Sequence, residues 1–222
     1  MGIRDLADTR WGGASARALE EFNARHPWSH NDAFHSWILT RLPAQRHDAV
    51  DIGCGRGDLL AALAPYFDHV RGIDIDAAMR QAASSRCAGL TNVTVSGSGP
   101  EPGSADLITM IAALHHMDLV PALSTVRDAL RPGGRFLCVG LARPASITDH
   151  ARDAASILTN PVIGFIRHPW VADQPPDLAP FPVVEPTRTI QEIQAGLATV
   201  MPGASLRRHL GFRHTVAWTK PS

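Results

Sequence analysis

Between residues 48 and 141, short apolar runs alternate with segments whose apolar positions recur at helical spacing. Strands buried on both faces read as continuous apolar runs, so this pattern predicts a doubly wound α/β fold, a mostly parallel sheet with helices on each side. Strands are expected at 49–52, 70–75, 93–96, 106–111 and 135–140. The intervening DLLAALAPYF, DAAMRQAASSRC and DLVPALSTVRDAL read as helices. Asp58, Asp76 and Asp118 stand at their starts, where a carboxylate suits orphan amides and the positive end of the helix dipole. Arg131-Pro132-Gly133-Gly134 reads as a helix stop followed by a tight reversal.

The flanks have different patterns. Residues 1–47 are helix-like and carry Trp11, Phe22, Trp28, Phe34 and Trp37. The stretch 169–186 holds six of the 17 prolines and reads as an extended loop over the surface. Thr189-Ile190-Gln191-Glu192 has the form of a capping box, and Ile190, Ile193, Leu197 and Val200 give the following helix one apolar stripe that ends before Pro202-Gly203. Two β-prone pieces on either side of Gly211 predict a closing hairpin. The chain therefore reads as one domain, 1–222: an N-terminal helical lid (1–47), a core (48–141), an insert (142–188), and a final helix with hairpin (189–222).

Composition narrows the classes of function. Lys+Arg and Asp+Glu each total 21, so no net field draws in nucleic acid or an anionic membrane. Cys54, Cys87 and Cys138 form no CxxC pair and no disulfide framework, which implies a reducing compartment. The N-terminus lacks the apolar core of a signal peptide, and no stretch approaches a membrane span, so a soluble cytoplasmic protein is expected.

The chemistry concentrates at VDIGCGRGDLL, residues 50–60. Gly53, Gly55 and Gly57 form a turn between the first strand and the first helix, at the sheet edge where open α/β folds bind ligands. Asp74 closes the second strand 21 residues after Gly53, where a carboxylate can accept both hydroxyls of a ribose. A nicotinamide dinucleotide would want G-x-G-x-x-G and no anion nearby, whereas Asp51 repels a pyrophosphate. A cationic, ribose-bearing ligand fits better.

That combination resembles the class I S-adenosylmethionine-dependent methyltransferases. VDIGCGRG is similar to their first motif, GIDID to the acidic second-strand motif, ADLITMIAALHHMD to the fourth-strand motif and LRPGGRFLCVG to the fifth-strand segment, all in order across 48–141. The closing hairpin resembles that family's sixth and seventh strands, which implies a Rossmann-like, seven-stranded sheet with an antiparallel last strand. WSHNDAFHSWILTRLP is similar to a W-x-H-N-x-x-[YF]-H…LP lead-in of one bacterial, small-molecule branch, with Phe34 where that branch more often has Tyr.

The resemblance implies S-adenosyl-L-methionine as cofactor. Gly53, Cys54 and Gly55 would pack against its aminoacyl part, Asp51 would favour its positive charge, and Asp74 would hold the ribose. Ile75 and Met79 would flank the adenine, and Ile111 would lie at the cofactor side of the fourth strand. The family often places an acid for the adenine amine after the third strand; here Gly97-Ser98-Gly99 stands instead, leaving backbone groups or Ser98 for that contact.

His115 and His116 follow the fourth strand at the mouth of the expected site, where an imidazole can take a proton from a nucleophile near neutral pH. Structural bonding to backbone is the competing explanation. His30, Asn31 and His35 are spaced to share part of a helix face and are candidates for contact with the acceptor. The histidines lack a zinc spacing and no acidic cluster of the magnesium type is evident, so no metal is expected. The expected activity is methyl transfer to a small organic acceptor. The alternative is a protein that binds the same cofactor without methylating.

Overall fold

The computed structural model describes residues 34–144, 185–209 and 213–222. In chain order the elements are α1 (His35–Leu39), β1 (Asp48–Ile52), α2 (Asp58–Leu63) with a 3-10 extension (Ala64–Tyr66), β2 (His69–Ile73), α3 (Ala77–Arg86), β3 (Val93–Ser96) and β4 (Ala105–Ile111). A 3-10 turn (Leu114–His116) then leads into α4 (Leu119–Ala129), β5 (Leu130–Leu141), α5 (Ile190–Val200), β6 (Ser205–Arg208) and β7 (Arg213–Thr219). The strands form one seven-stranded sheet in the order β3-β2-β1-β4-β5-β7-β6. β1 to β5 pair in parallel, while β7 runs antiparallel to both β5 and β6. This is the doubly wound sheet expected from the alternating pattern, with the antiparallel last strand that the family resemblance implied.

Each face of the sheet has its own apolar cluster. On one side Leu60, Leu63, Leu107 and Leu137 pack with Ile38 of α1. On the other, Leu123 and Val126 of α4 and Ile193 and Leu197 of α5 close over Phe136, Val216 and Trp218. The α4–α5 contact needs Gly196, because a Cβ there would come within 2.7 Å of the Leu119 side chain. The Thr189 capping box forms as predicted: Glu192 N donates to Thr189 Oγ1 at 3.3 Å, and Thr189 N donates to Glu192 Oε2 at 2.7 Å.

Several boundaries differ from the sequence expectation. β2 ends at Ile73 rather than 75, because the Asp74 carboxylate accepts from Asp76 N at 2.9 Å and turns the chain out of the ladder. β5 begins at Leu130: Pro132-Gly133-Gly134 stops α4 but joins the sheet, with Gly133 N donating to Lys220 O and Lys220 N to Gly134 O, each at 2.9 Å. Of the three helix-opening aspartates, only Asp76 caps through its side chain, accepting from Ala78 N and Met79 N. Asp58 lies inside the first turn, behind Gly57 in the left-handed region, and pairs with Arg86 at 2.7 Å. Asp118 makes no cap bond and faces Arg188 at 3.5 Å. The predicted proline-rich loop and Trp11, Phe22 and Trp28 fall wholly or almost wholly outside the described residues.

Candidate functional site

The carboxyl ends of β1, β2 and β4 meet at the glycine turn. Gly53 N and Cys54 N both donate to Ile73 O, at 2.7 and 3.1 Å, fastening the turn to the end of β2. Gly53, Gly55 and Gly57 all take positive φ (74°, 52° and 83°), which a residue with a Cβ adopts only under strain. A Cβ on Gly53 would also collide with that of Ala113. The preceding Ala112 is itself left-handed, at φ 53°, and this local strain lies where the β4 loop closes on the turn. Sequence reasoning passed over these two alanines; their small size directly after a strand was the available signal.

Asp74 organises the next part. Its Oδ2 accepts from Gly55 N and its Oδ1 from Asp76 N, each at 2.9 Å. A carboxylate has about four acceptor positions, so two such bonds hold Asp74 in place and leave capacity for a pair of hydroxyls. Directly beside it Ile75 is 96% exposed. Folding alone gives no reason for so bare an apolar side chain at a sheet's ligand edge. Met79, by contrast, is buried beneath this surface, and Ser98 is exposed. Where the family often has an acid, Gly97 lies against Arg80, whose guanidinium donates to Asp74 O (3.0 Å) and Ile75 O (2.8 Å). The sequence reading did not single out Arg80.

Asp51 is 3% exposed, and its one side-chain hydrogen bond among the described residues comes from Thr109 Oγ1 at 2.7 Å. Burial pushes its carboxyl up to about 7; the Thr109 bond works against this, and the neighbouring Asp74 charge adds to it. The site is thus short of positive charge. A ligand bringing a cation to Asp51, a ribose to Asp74 and an apolar ring to Ile75 suits these residues, so they fit S-adenosyl-L-methionine. Cys54 is buried and desolvation raises its thiol, which makes it a small filler behind the turn. Ile111 is half-buried at the end of β4.

Beyond the glycine turn, His115 and His116 share the 3-10 turn after β4, and their rings stand 4.0 Å apart, tilted by 41°. His115 lines a cleft with Leu114, Leu119, Leu141, Ile193, Arg188 and His214, of about 270 Å³ counting its mouth. His214 is fully buried, and neither of its ring nitrogens has a hydrogen-bond partner among the described residues. Burial, helped by His209 and His115, lowers it to about 4, so it is a neutral imidazole at physiological pH. Arg188 Nη1 donates to Met117 O at 2.7 Å. His214 and Arg188 were missed from sequence, because only the insertion of β7 between β5 and β6 buries position 214. His35 opens α1, while His30 and Asn31 lie outside the described residues.

A methyltransferase-domain family model matches residues 50–136, which span β1 to the start of the regular part of β5. The chain is 28% identical over 201 residues to an uncharacterized methyltransferase of Mycobacterium bovis, covering 88% of this chain and 98% of that one. Residues 50–136 thus match a methyltransferase domain, in a chain similar along most of its length to a methyltransferase.

Further methyltransferases match in part or by fold. The trans-aconitate 2-methyltransferase of Paracidovorax citrulli is 39% identical over 108 residues, 44% of this chain and 40% of that protein. The crystal structure of a SAM-dependent methyltransferase from Aquifex aeolicus shares the fold at TM-score 0.55 and 16% identity, over 83% of this chain and 88% of that one. Among the described residues no helix is long and apolar enough to cross a membrane, and no three metal-ligating side chains cluster.

Proposed function

We propose that this protein moves a methyl group from S-adenosyl-L-methionine to a small organic acceptor by in-line displacement. The observation that carries this reading is the pairing of Asp74, anchored by two backbone amides, with the bare side chain of Ile75 at the carboxyl edge of the sheet. Asp51, Gly53 and Gly55 would hold the aminoacyl end, and Asp74 the ribose.

The cofactor supplies an activated methyl group on a sulfonium, whose bonding pair stays with sulfur when the methyl leaves. The protein's own part is positioning, which can lower a barrier by about 7–11 kcal/mol without a covalent intermediate. β1 and β2 would fix the donor, leaving the ends of β4, β5 and β7 for the acceptor. His115 or His116 would take the proton that a hydroxyl or amine acceptor loses as its new bond forms. The expected lid segments, 28–42 and 147–186, lie mostly outside the described residues. The relative named for trans-aconitate is consistent with a small acceptor here.

The test is calorimetry with S-adenosyl-L-methionine and S-adenosylhomocysteine, followed by measurement of S-adenosylhomocysteine release with candidate acceptors. Binding with release is expected. Binding without release from any acceptor would favour a protein that uses the cofactor without methylating, and no binding would overturn the reading.

A further inference from the structure

The last twenty-two residues, 201–222, contain Arg207, Arg208, His209, Arg213, His214 and Lys220 and not one Asp or Glu, in a chain whose charges balance overall. Most of the β6 side chains, Arg207 and Arg208 among them, lie at the exposed edge of the sheet, where a solvated basic face needs no special explanation. Arg213 is different. Its Nη1 is shielded from solvent and has no hydrogen-bond acceptor among the described residues. Burial alone lowers its guanidinium to about 10, with no anion to offset the loss of hydration.

Its place in the fold says where an anion would come from. Arg213 pairs with Leu141 at the carboxyl end of β5, on the acceptor side of the sheet. Strand alternation puts Arg213 on the same face as Thr215 and Ala217, and Ala217 packs with the Ile38 and Leu137 cluster. That face lies under the start of α1. There Thr215 Oγ1 is 2.9 Å from His209 Nε2, and the His209 ring meets Phe34 edge-on at 5.5 Å. Burial, and next Arg207, keep His209 below the ordinary histidine range, so it neither supplies nor replaces a countercharge.

We propose that Arg213 anchors an oxyanion of the methyl acceptor, a carboxylate or phosphate, at the start of β7 beside the start of α1. The planar guanidinium suits bidentate contact with either group. The acceptor is then an acid, bound at its anionic end and methylated elsewhere or at a second acidic group. This rests on the methyltransferase reading.

Two measurements test it. First, chemical denaturation compares unliganded wild type with Arg213→Gln at pH 7. An unpaired buried cation should be no loss, so equal or higher stability of the variant is expected; a clear loss would mean that the fold already pairs Arg213, and would overturn the proposal. Second, thermal shift and calorimetry use trans-aconitate, its neutral trimethyl ester, glycerol phosphate and glycerol, with and without saturating S-adenosylhomocysteine. Protection by an acid but not by its neutral counterpart is expected, at least tenfold weaker in Arg213→Gln and partly kept in Arg213→Lys. The acid that protects distinguishes carboxylate from phosphate. S-adenosylhomocysteine affinity of Arg213→Gln should equal that of wild type. Equal binding of neutral and acidic probes, no protection by any acid, or full acid binding by Arg213→Gln would each overturn the proposal. Failure of wild type to bind S-adenosylhomocysteine would instead remove the methyltransferase reading, leaving the acid measurements on the protein alone to decide Arg213.

Discussion

Thr109 Oγ1 donates to Asp51 Oδ1 at 2.7 Å, joining β4 to β1 beneath the glycine turn. This bond holds a carboxylate that the fold has desolvated and to which no cation among the described residues is paired, a setting that a positively charged ligand would suit.

The first prediction concerns pH. Asp51 has an ordinary carboxyl value of 3.8 and is raised to about 7 in the fold, so its favourable contribution to stability is present below the unfolded value and is lost as pH rises through about 7. Asp51→Asn should therefore gain in melting temperature relative to wild type as pH goes from about 5 to 8. The cofactor's positive charge favours the ionised form, so S-adenosyl-L-methionine affinity of wild type should rise over the same range, while that of the variant stays flat and weak. Calorimetry across the range checks this, and parallel profiles for the two proteins would show that Asp51 does not face the cation.

Asp74→Ala should weaken cofactor binding by at least tenfold, since each charge-assisted bond it offers a ribose contributes about 1.5–3 kcal/mol. It should also loosen the turn, because Gly55 N and Asp76 N lose their acceptor. Calorimetry paired with thermal melts separates the two effects, and unchanged affinity would mean that another group holds the ribose.

At Ile75, 96% exposed, replacement by Ser removes no packing within the fold. Melting temperature without ligand should stay within a degree or so, whereas cofactor affinity should fall several-fold, in line with about 1 kcal/mol of lost apolar contact. A destabilised variant with normal affinity would assign Ile75 to the fold instead.

Replacing whichever of His115 and His116 serves as base should lower turnover and leave cofactor affinity near wild type. The deficit should shrink as pH rises and the acceptor ionises unaided. Steady-state rates for both alanine variants across pH decide between them; full turnover in both would leave the pair a structural role.

Hydrogen exchange tests whether the N-terminal segment covers the site. Addition of S-adenosylhomocysteine should protect 30–37 as well as 53–57. Protection confined to the glycine turn would assign the N-terminal segment to scaffold.

The sequence alone determined the core of this protein, for reasons that are local. Alternation of apolar runs with helical periods specifies a covered parallel sheet, and glycines at 53, 55 and 57 are required wherever the backbone turns left-handed at a strand's end. Asp51 and Asp74 were legible because their distance from that turn is set along one βαβ unit. The capping box at Thr189 and Glu192 was legible too, since its partners are three residues apart. Tertiary structure decided what depends on distant strands meeting. Asp51 becomes a desolvated carboxylate only once β1 is enclosed between β2 and β4, and Ala113 meets Gly53 at the same edge. Arg80 reaches the end of β2 from the next helix. His214 and Arg213 look like ordinary members of an alternating basic strand until β7 inserts between β5 and β6, burying the imidazole and shielding the guanidinium. Burial, which sets the charge state of both, is a property of the assembled sheet and is written in no local pattern of residues.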